Sequence, residues 1–215
     1  MQTMTVRDFL DWFNQPLGYR AVSHYAKNTK SLLASLCDKY GSDKGEVSPH
    51  GHPYRWPSHT YTDVYGRLYD HCRHYVRTVF ECGIGTNNIS LPSHMGARGR
   101  PGASLRAWRD YFPNAQIIGA DVDADILFEE ERIRTYHVDQ TDPASIARLW
   151  AQLPDQTFDL MLDDGLHTFE AGLCLFENSF HKVAPEGVYI IEDIKPDALV
   201  KFRDYFQGKD LNIEI

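Results

Sequence analysis

Long apolar runs are absent from this sequence of 215 residues. No stretch reaches the roughly 20 consecutive apolar residues that a membrane-spanning helix needs. Asp8 and Asp11 interrupt the N-terminal segment, where a secretory signal peptide requires a continuous apolar stretch. We therefore expect a soluble, cytoplasmic protein with no membrane partner.

Cysteine and positive charge are also scarce. The four cysteines form no CxxC pair, so a disulfide scaffold is not expected. Lysine and arginine number 22 against 30 aspartates and glutamates, which gives a formal charge of -8. An acidic surface repels a phosphate backbone and argues against a nucleic-acid partner. Hydrophobic residues make up 42% of the chain, which is enough for a globular fold, and a homo-oligomer is left open.

Residues 78–215 alternate short apolar runs with longer helix-like stretches. This alternation is typical of stacked βαβ units around a parallel sheet, so it predicts an α/β fold. The predicted strands are Thr78–Cys82, Gln116–Ala120, Ile133–Val138, Phe158–Leu162 and Val188–Ile191. The predicted helices are Ala103–Tyr111, Pro143–Gln152, Phe169–Lys182 and Asp197–Phe206.

The pattern of residues 1–77 differs from this alternation. It predicts a cap of helices and loops over the domain formed by residues 78–215. Apolar residues at helical spacing predict helices at Val6–Phe13 and Lys30–Tyr40. Gly41–Tyr61 is rich in glycine, proline and histidine and predicts a long loop. At the other end, Leu211–Ile215 alternates like a strand, and we expect the last strand or strands of the sheet to be missing.

Two glycines follow the first predicted strand, in the sequence Glu81-Cys82-Gly83-Ile84-Gly85. Glycines at this position let a ligand approach the backbone, in the crevice where open α/β sheets bind cofactors. A tight turn from strand to loop is the alternative interpretation. Thr86-Asn87-Asn88 stands where the dinucleotide fingerprint GxGxxG has its third glycine, which argues against NAD and FAD.

Polar side chains end the second and third predicted strands. Asp121 can accept hydrogen bonds from both hydroxyls of a ribose, or it can cap the short acidic helix that follows. Asp139 and Gln140 can hold an adenine, or they can cap the helix that begins at Pro143. These positions predict that a nucleoside binds in this half of the crevice.

Four carboxylates follow the fourth and fifth predicted strands: Asp163 and Asp164, then Glu192 and Asp193. Two such charges 4 Å apart repel by about 4 kcal/mol at an effective dielectric of about 20, so the cluster needs a raised pKa or a bound cation. Oxygen ligands favour Mg²⁺, with Mn²⁺ or Ca²⁺ as alternatives. His167 is placed to act as a general base. The alternative is that some acids cap helices and His167 lies on the surface.

Four motifs carry a family resemblance, which covers roughly residues 41 to 195. They are SDKG (Ser42–Gly45), GASLRAW (Gly102–Trp108), DDGxH (Asp163–His167) and IED (Ile191–Asp193). Together they resemble class I S-adenosylmethionine-dependent methyltransferases, and most of all the metal-dependent sugar O-methyltransferases of macrolide biosynthesis. The resemblance implies a Rossmann-like sandwich with strand order 3-2-1-4-5-7-6, in which the Asp164 and Glu192 strands are neighbours.

The resemblance also implies roles for individual residues. Cofactor contacts are implied for Ser42, Lys44, Glu81, Gly83, Gly85, Asp121, Val122, Asp139, Gln140 and Asp163, where Ser42 and Lys44 touch the cofactor or close over it. Mg²⁺ ligands are implied at Asp164, Glu192 and Asp193. Asp164 and His167 are the implied catalytic residues, and His167 would deprotonate the acceptor hydroxyl.

The expected reaction is methyl transfer from S-adenosylmethionine to a hydroxyl of a sugar-containing small molecule. A nicotinamide-dependent oxidoreductase and a non-catalytic binding protein of the same fold are the alternatives. Two departures from the family pattern, Leu166 and the enlarged loop Ser90–Pro101, are expected to affect acceptor choice. His50, His52 and His59 are expected to be solvated, with contact to an acceptor or a metal as the alternative.

Overall fold

Six strands form one sheet in the computed structural model, which describes residues 31–45, 54, 56, 59–209 and 211. The strands are β1 (Thr78–Cys82), β2 (Gln116–Asp121), β3 (Glu129–Glu130), β4 (Ile133–His137), β5 (Phe158–Asp163) and β6 (Val183–Ile191). Their order is β3-β4-β2-β1-β5-β6, and only the β3–β4 pair is antiparallel. The predicted parallel α/β sheet is confirmed, and the five predicted strands have the implied 3-2-1-4-5 order.

Within the described residues, six α-helices flank the sheet. They are α1 (Leu32–Tyr40), α2 (Tyr61–Tyr69), α3 (Ala103–Tyr111), α4 (Pro143–Gln152), α5 (Phe169–Ser179) and α6 (Pro196–Phe206). Side-chain caps begin several of them: Ser31, Asp142 and Thr168 each accept a hydrogen bond from a backbone N–H of the first turn. None of the helices in the described part of the chain is both long and apolar enough to cross a membrane.

Successive strand residues pack on opposite faces of the sheet, because side chains alternate along a strand. On one face, Val79 and Ile117 join a cluster with α1, α2 and α3 around the buried Trp108. On the other face, Phe80 and Ile118 pack with α4 and α5. Full burial of one such side chain contributes about 1.5–3 kcal/mol. The helices of the predicted cap therefore share their core with the sheet.

The structure differs from the predicted elements in a few places. Helix α2 was not among the predicted helices, and its central Gly66 weakens the helical pattern. Strand β6 begins at Val183 and not at Val188. Its pairing with β5 contains a bulge: Phe158 pairs with Val183, whereas Leu160, two residues further along β5, pairs with Val188. Helix α5 ends at Ser179, and a 3₁₀ turn follows it.

Some predictions concern residues outside the described ranges. These are the helix Val6–Phe13, the strand-like Leu211–Ile215 apart from Leu211 itself, His50 and His52, and most of the Gly41–Tyr61 loop.

Candidate active site

A cavity of about 720 Å³ opens at the carboxyl edge of the sheet. The glycine turn and the following strand ends contribute Gly83, Gly85, Asp121, Val122, Asp139 and Gln140 to its wall. The acidic region contributes Asp164, His167 and Asp193, and the SDKG motif contributes Asp43 and Lys44. The two halves of the site that the sequence predicts therefore share one cavity.

The turn after β1 requires glycine, both because of its backbone conformation and because neighbouring atoms lie close to it. Gly83 and Gly85 have φ angles of 89° and 85°, a region that favours glycine. A Cβ atom on Gly83 would lie 2.1 Å from the carbonyl oxygen of Asp164. The turn thus brings the loop after β1 against the loop after β5, which joins the two halves of the cavity.

Asp121 is buried at the end of β2, and backbone donors orient its carboxylate. Its Oδ2 accepts a hydrogen bond of 2.9 Å from the N–H of Ile84, and its Oδ1 accepts one of 2.9 Å from the N–H of Asp123. Burial raises the pKa of Asp121, and these N–H groups oppose the rise. Asp123 caps the following 3₁₀ helix, which leaves Asp121 facing the cavity.

Gln140 holds the loop after β5 with both ends of its amide. Its Nε2 donates to Asp163 at 3.0 Å, and its Oε1 accepts from the N–H of Leu166 at 2.8 Å. Asp139 lines the cavity beside it, and its Oδ1 accepts from the N–H of Thr141 at 2.9 Å. Asp163 does not line the cavity. Burial raises its pKa to about 6, although the hydrogen bonds that it accepts from Gln140 and Gly165 act in the opposite direction. In the structure Asp163 supports the loop from behind.

Asp164, His167 and Asp193 form a compact group on the opposite wall. One potential ligand atom from each lies within 4.8 Å of the others. His167 Nε2 is 3.9 Å from Asp193 Oδ2, and burial lowers the pKa of His167. His167 and Asp193 have left-handed φ angles of 57° and 51°, a strained conformation that is enriched at functional sites.

Glu192 and Glu81 lie behind this group, at the buried side chain of Lys44. Glu192 accepts hydrogen bonds from Lys44 and, at 2.5 Å, from the hydroxyl of Tyr65. Glu81 accepts a bond of 2.9 Å from Trp108 Nε1. The sequence predicts Lys44 and Glu81 as cofactor contacts, whereas the structure pairs them with each other at 3.4 Å. Ser42 is also buried, and its Oγ accepts a bond from the Lys44 N–H at 3.3 Å.

Aromatic side chains also line the wall, and Trp56 among them was not predicted from the sequence. Tyr61 donates to Asp193, and its ring stacks on His59 with a centroid distance of 4.9 Å. His59 lines the cavity and its Nε2 lies 3.8 Å from Asp193 Oδ1, so of the two interpretations the structure favours a residue that faces the site. Trp56 Nε1 donates to Asp43 at 2.7 Å. The available signal for Trp56 was the SDKG motif, which ends at Gly45 on the same segment.

Both departures from the family pattern lie on the cavity wall. Leu166 lines it, and so does the first part of the enlarged loop, at Leu91, Pro92, Ser93, His94 and Met95. Ser93 Oγ donates to the carbonyl of Leu166 at 3.2 Å, so the two features are in direct contact.

The donor sets fit the groups that the sequence implies. Asp164 and Asp193 offer the oxygen ligands that a hard divalent cation prefers. Glu192 offers no free oxygen in this arrangement, because Lys44 and Tyr65 each occupy one. On the other half, the oriented carboxylate of Asp121 and the open glycine turn fit a ribose and its linker.

The sheet order, the glycine turn after β1 and the acid after β2 are common to class I methyltransferases and other Rossmann-like folds, and the comparison with known proteins distinguishes these classes. No protein-family profile matches the chain. The chain is 33% identical over 167 residues to demethylmacrocin O-methyltransferase of Streptomyces fradiae, and this match covers 77% of the chain and 40% of that protein. It is 32% identical over 163 residues to the 8-demethyl-8-alpha-L-rhamnosyl tetracenomycin-C 2'-O-methyltransferase of Streptomyces olivaceus, covering 76% of the chain and 38% of that protein.

A solved structure supports the same relationship. The MycE methyltransferase from the mycinamycin biosynthetic pathway, in complex with Mg, S-adenosylhomocysteine and mycinamycin VI, superposes with a TM-score of 0.60 at 28% identity. The match covers 84% of this chain and 40% of that one. The chain is thus homologous to sugar and macrolide O-methyltransferases, and the resemblance seen in the sequence is confirmed. It spans about two fifths of the length of these relatives.

Proposed function

We propose that this protein is an S-adenosylmethionine-dependent O-methyltransferase that acts on a sugar hydroxyl of a small molecule, with assistance from Mg²⁺. The observation that carries the proposal is the shared cavity, in which the oriented carboxylate of Asp121 and the Asp164, His167 and Asp193 group line one space. A donor and an acceptor must meet in one pocket for a direct transfer. The homologous O-methyltransferases support the same reaction class.

The cofactor half would bind the methyl donor through Asp121, with Gly83 and Gly85 beneath it and Val122, Asp139 and Gln140 beside the nucleoside. When bound, S-adenosylmethionine supplies an electrophilic methyl group, whose bond to sulfur breaks as the bond to the acceptor oxygen forms. Asp164 and Asp193 would hold Mg²⁺, with Glu192 next to them. When bound, Mg²⁺ supplies positive charge that makes a hydroxyl more acidic.

His167 would accept the proton of the acceptor hydroxyl. Burial lowers the pKa of His167 from its ordinary value near 6.5, so the neutral imidazole is the main form at pH 7. Asp193 Oδ2 lies 3.9 Å from the ring and favours the protonated imidazole that forms as the proton is accepted. General-base assistance of this kind contributes about 10²- to 10⁴-fold to a rate. Because the pKa is lowered, the acid limb of the rate profile should lie below pH 6.5.

The acceptor would enter beside Leu166 and the loop that contains Ser93. The relatives are named for methylation of sugars attached to macrolide or tetracenomycin compounds, which supports a glycosylated natural product as the acceptor class. The aromatic side chains of Trp56 and Tyr61 on the same wall suit the apolar face of a sugar ring.

The test measures methyl transfer to a panel of glycosylated acceptors by the wild type, H167A and D164N, with and without EDTA. We expect H167A to lose about 10²-fold or more in kcat, and EDTA to inhibit the wild type. Exposed residues away from the cavity provide matched controls, H181A and D155N, which should retain full turnover. Wild-type turnover in H167A and D164N, unaffected by EDTA, would eliminate the mechanism.

A further inference from the structure

Lys44 is a buried lysine in the middle of an acidic cluster. Its side chain is 3% exposed, and its Nζ lies 2.5 Å from Asp164 Oδ2 and 3.4 Å from Glu81 Oε1, with a third bond to Glu192 Oε2. Burial alone lowers the pKa of Lys44, but these three carboxylates outweigh it and hold the pKa well above its ordinary value. The ammonium group therefore stays charged inside the protein.

One ammonium does not neutralise this cluster. Glu81, Asp164 and Glu192 all contact Lys44, and Asp193 lies beside Asp164. The Oε1 atom of Glu81 is buried without a hydrogen bond, although it faces the ammonium. Burial and the neighbouring acids raise the pKa values of Glu81 and Asp164, so the cluster lacks positive charge that either a proton or a divalent cation can supply.

The backbone of Lys44 is fixed from two directions. Its carbonyl accepts a hydrogen bond of 3.1 Å from the N–H of Thr62 at the start of α2, and its N–H donates to Ser42. Ser42 in turn follows Gly41, which ends α1 in a left-handed conformation with φ of 84°. Hydrogen bonds on both sides of Lys44 thus fix the backbone that places its ammonium group in the cluster.

We propose that Lys44 is a positioning residue, a built-in counter-charge that holds Asp164 and Glu192 together before a divalent cation binds and releases an oxygen of at least one of them when the cation enters. This inference rests on the proposed Mg²⁺-assisted function and assigns the SDKG lysine to the acidic half and not to the cofactor. The oxygen atoms that Lys44 occupies belong to two of the implied metal ligands. Lysine and metal are therefore alternative partners of the same atoms.

Two opposite effects follow from replacing Lys44 with an uncharged side chain of similar length. The metal-free protein loses stability, because the buried Glu81 and Glu192 and the half-buried Asp164 lose their common partner. The affinity for a divalent cation rises by about tenfold or more, because a neighbouring positive charge no longer repels the cation or occupies its ligands. A purely structural lysine would produce the first effect without the second.

The experiment compares K44M with K182M in the full chain. Lys182 is the matched control, because it is also buried and its Nζ donates to the carbonyls of Leu153 and Pro154, away from the acids. Thermal unfolding is measured with EDTA and then with added MgCl₂, and Mn²⁺ binding is followed by electron paramagnetic resonance. We expect metal to raise the Tm of K44M more than that of the wild type or K182M, with tighter Mn²⁺ binding in K44M alone.

A second variant keeps the proposal testable if K44M folds poorly. K44M/E81Q removes one surplus carboxylate, so it should recover part of the Tm that K44M loses. Equal Mn²⁺ affinity in the wild type and the foldable Lys44 variants, or no binding in any of them, would overturn the role of Lys44. S-adenosylhomocysteine binding, measured on the same samples by calorimetry, reports separately on the proposed methyltransferase function.

Discussion

The two halves of the cavity solve the problem of buried carboxylates in different ways. In the half formed by β1 and β2, Asp121 is satisfied by two backbone N–H groups, so no counter-ion is needed. In the half formed by β5 and β6, Glu81, Asp164 and Glu192 surround the one ammonium of Lys44. Backbone amides suit a carboxylate that must stay charged and accept ribose hydroxyls, whereas a surplus of acid suits a site that receives a cation.

The largest expected effect concerns the junction between the halves. G83A places a Cβ 2.1 Å from the Asp164 carbonyl oxygen and in a left-handed conformation, so we expect a loss of about 3 kcal/mol or more in unfolding free energy. Gly96 is the matched control: its φ is 75°, yet no atom lies within 4 Å of its added Cβ, so G96A should cost only about 1–2 kcal/mol. Urea unfolding measures both, and equal losses would contradict a close junction.

An intermediate effect should separate the functions of the halves. D121N replaces one carboxylate oxygen by an NH₂ group, which cannot accept a hydrogen bond from the backbone N–H that it faces. We expect S-adenosylhomocysteine to bind about 10- to 100-fold more weakly, a difference of about 1.4–2.8 kcal/mol. Mn²⁺ binding should not change. Calorimetry measures both affinities in D121N and in D164N. D164N should bind Mn²⁺ more weakly and S-adenosylhomocysteine as the wild type does. If both variants lost affinity for both ligands, the two halves of the cavity would not have separate functions.

The smallest effect concerns a carboxylate outside the cavity, near the surface, whose charged form is stabilised by neighbouring hydrogen-bond donors. Asp110 on α3 accepts hydrogen bonds from Tyr40 at 2.5 Å, Lys39 at 3.0 Å and Arg109 at 2.9 Å. Partial burial raises its pKa, but these bonds outweigh that rise and lower it to about 2. A depressed pKa adds stability above the unfolded value near 4, and this stability is lost as the pH falls from about 4 to about 2.

D110N should therefore cost about 1 kcal/mol at pH 7, after allowance for solvent screening of a partly exposed group. The cost should shrink as the pH is lowered below 4, which urea unfolding at several pH values will measure. D155N, at an exposed position, is the control and should show neither the loss nor the pH dependence. A constant cost of D110N down to pH 3 would show that charge is not its cause.

The sequence was informative where a local pattern decides the structure. The apolar run before Gly83 predicted β1, and the acids at the ends of β5 and β6 predicted the site that the fold brings together. It was less informative where tertiary contacts decide. The bulge in β6 depends on pairing with β5, and the burial of Lys44 depends on three acids from three strand ends that are distant in sequence.

We propose that one cavity holds a methyl donor and a divalent cation side by side. A crystal grown with S-adenosylhomocysteine and Mn²⁺ tests it most directly, through the anomalous signal of the metal. We predict an anomalous peak between Asp164 and Asp193, with the ribose hydroxyls of the bound ligand on the carboxylate of Asp121. Bound S-adenosylhomocysteine without a metal peak there, or a crystal that takes up NAD and not S-adenosylhomocysteine, would contradict the account.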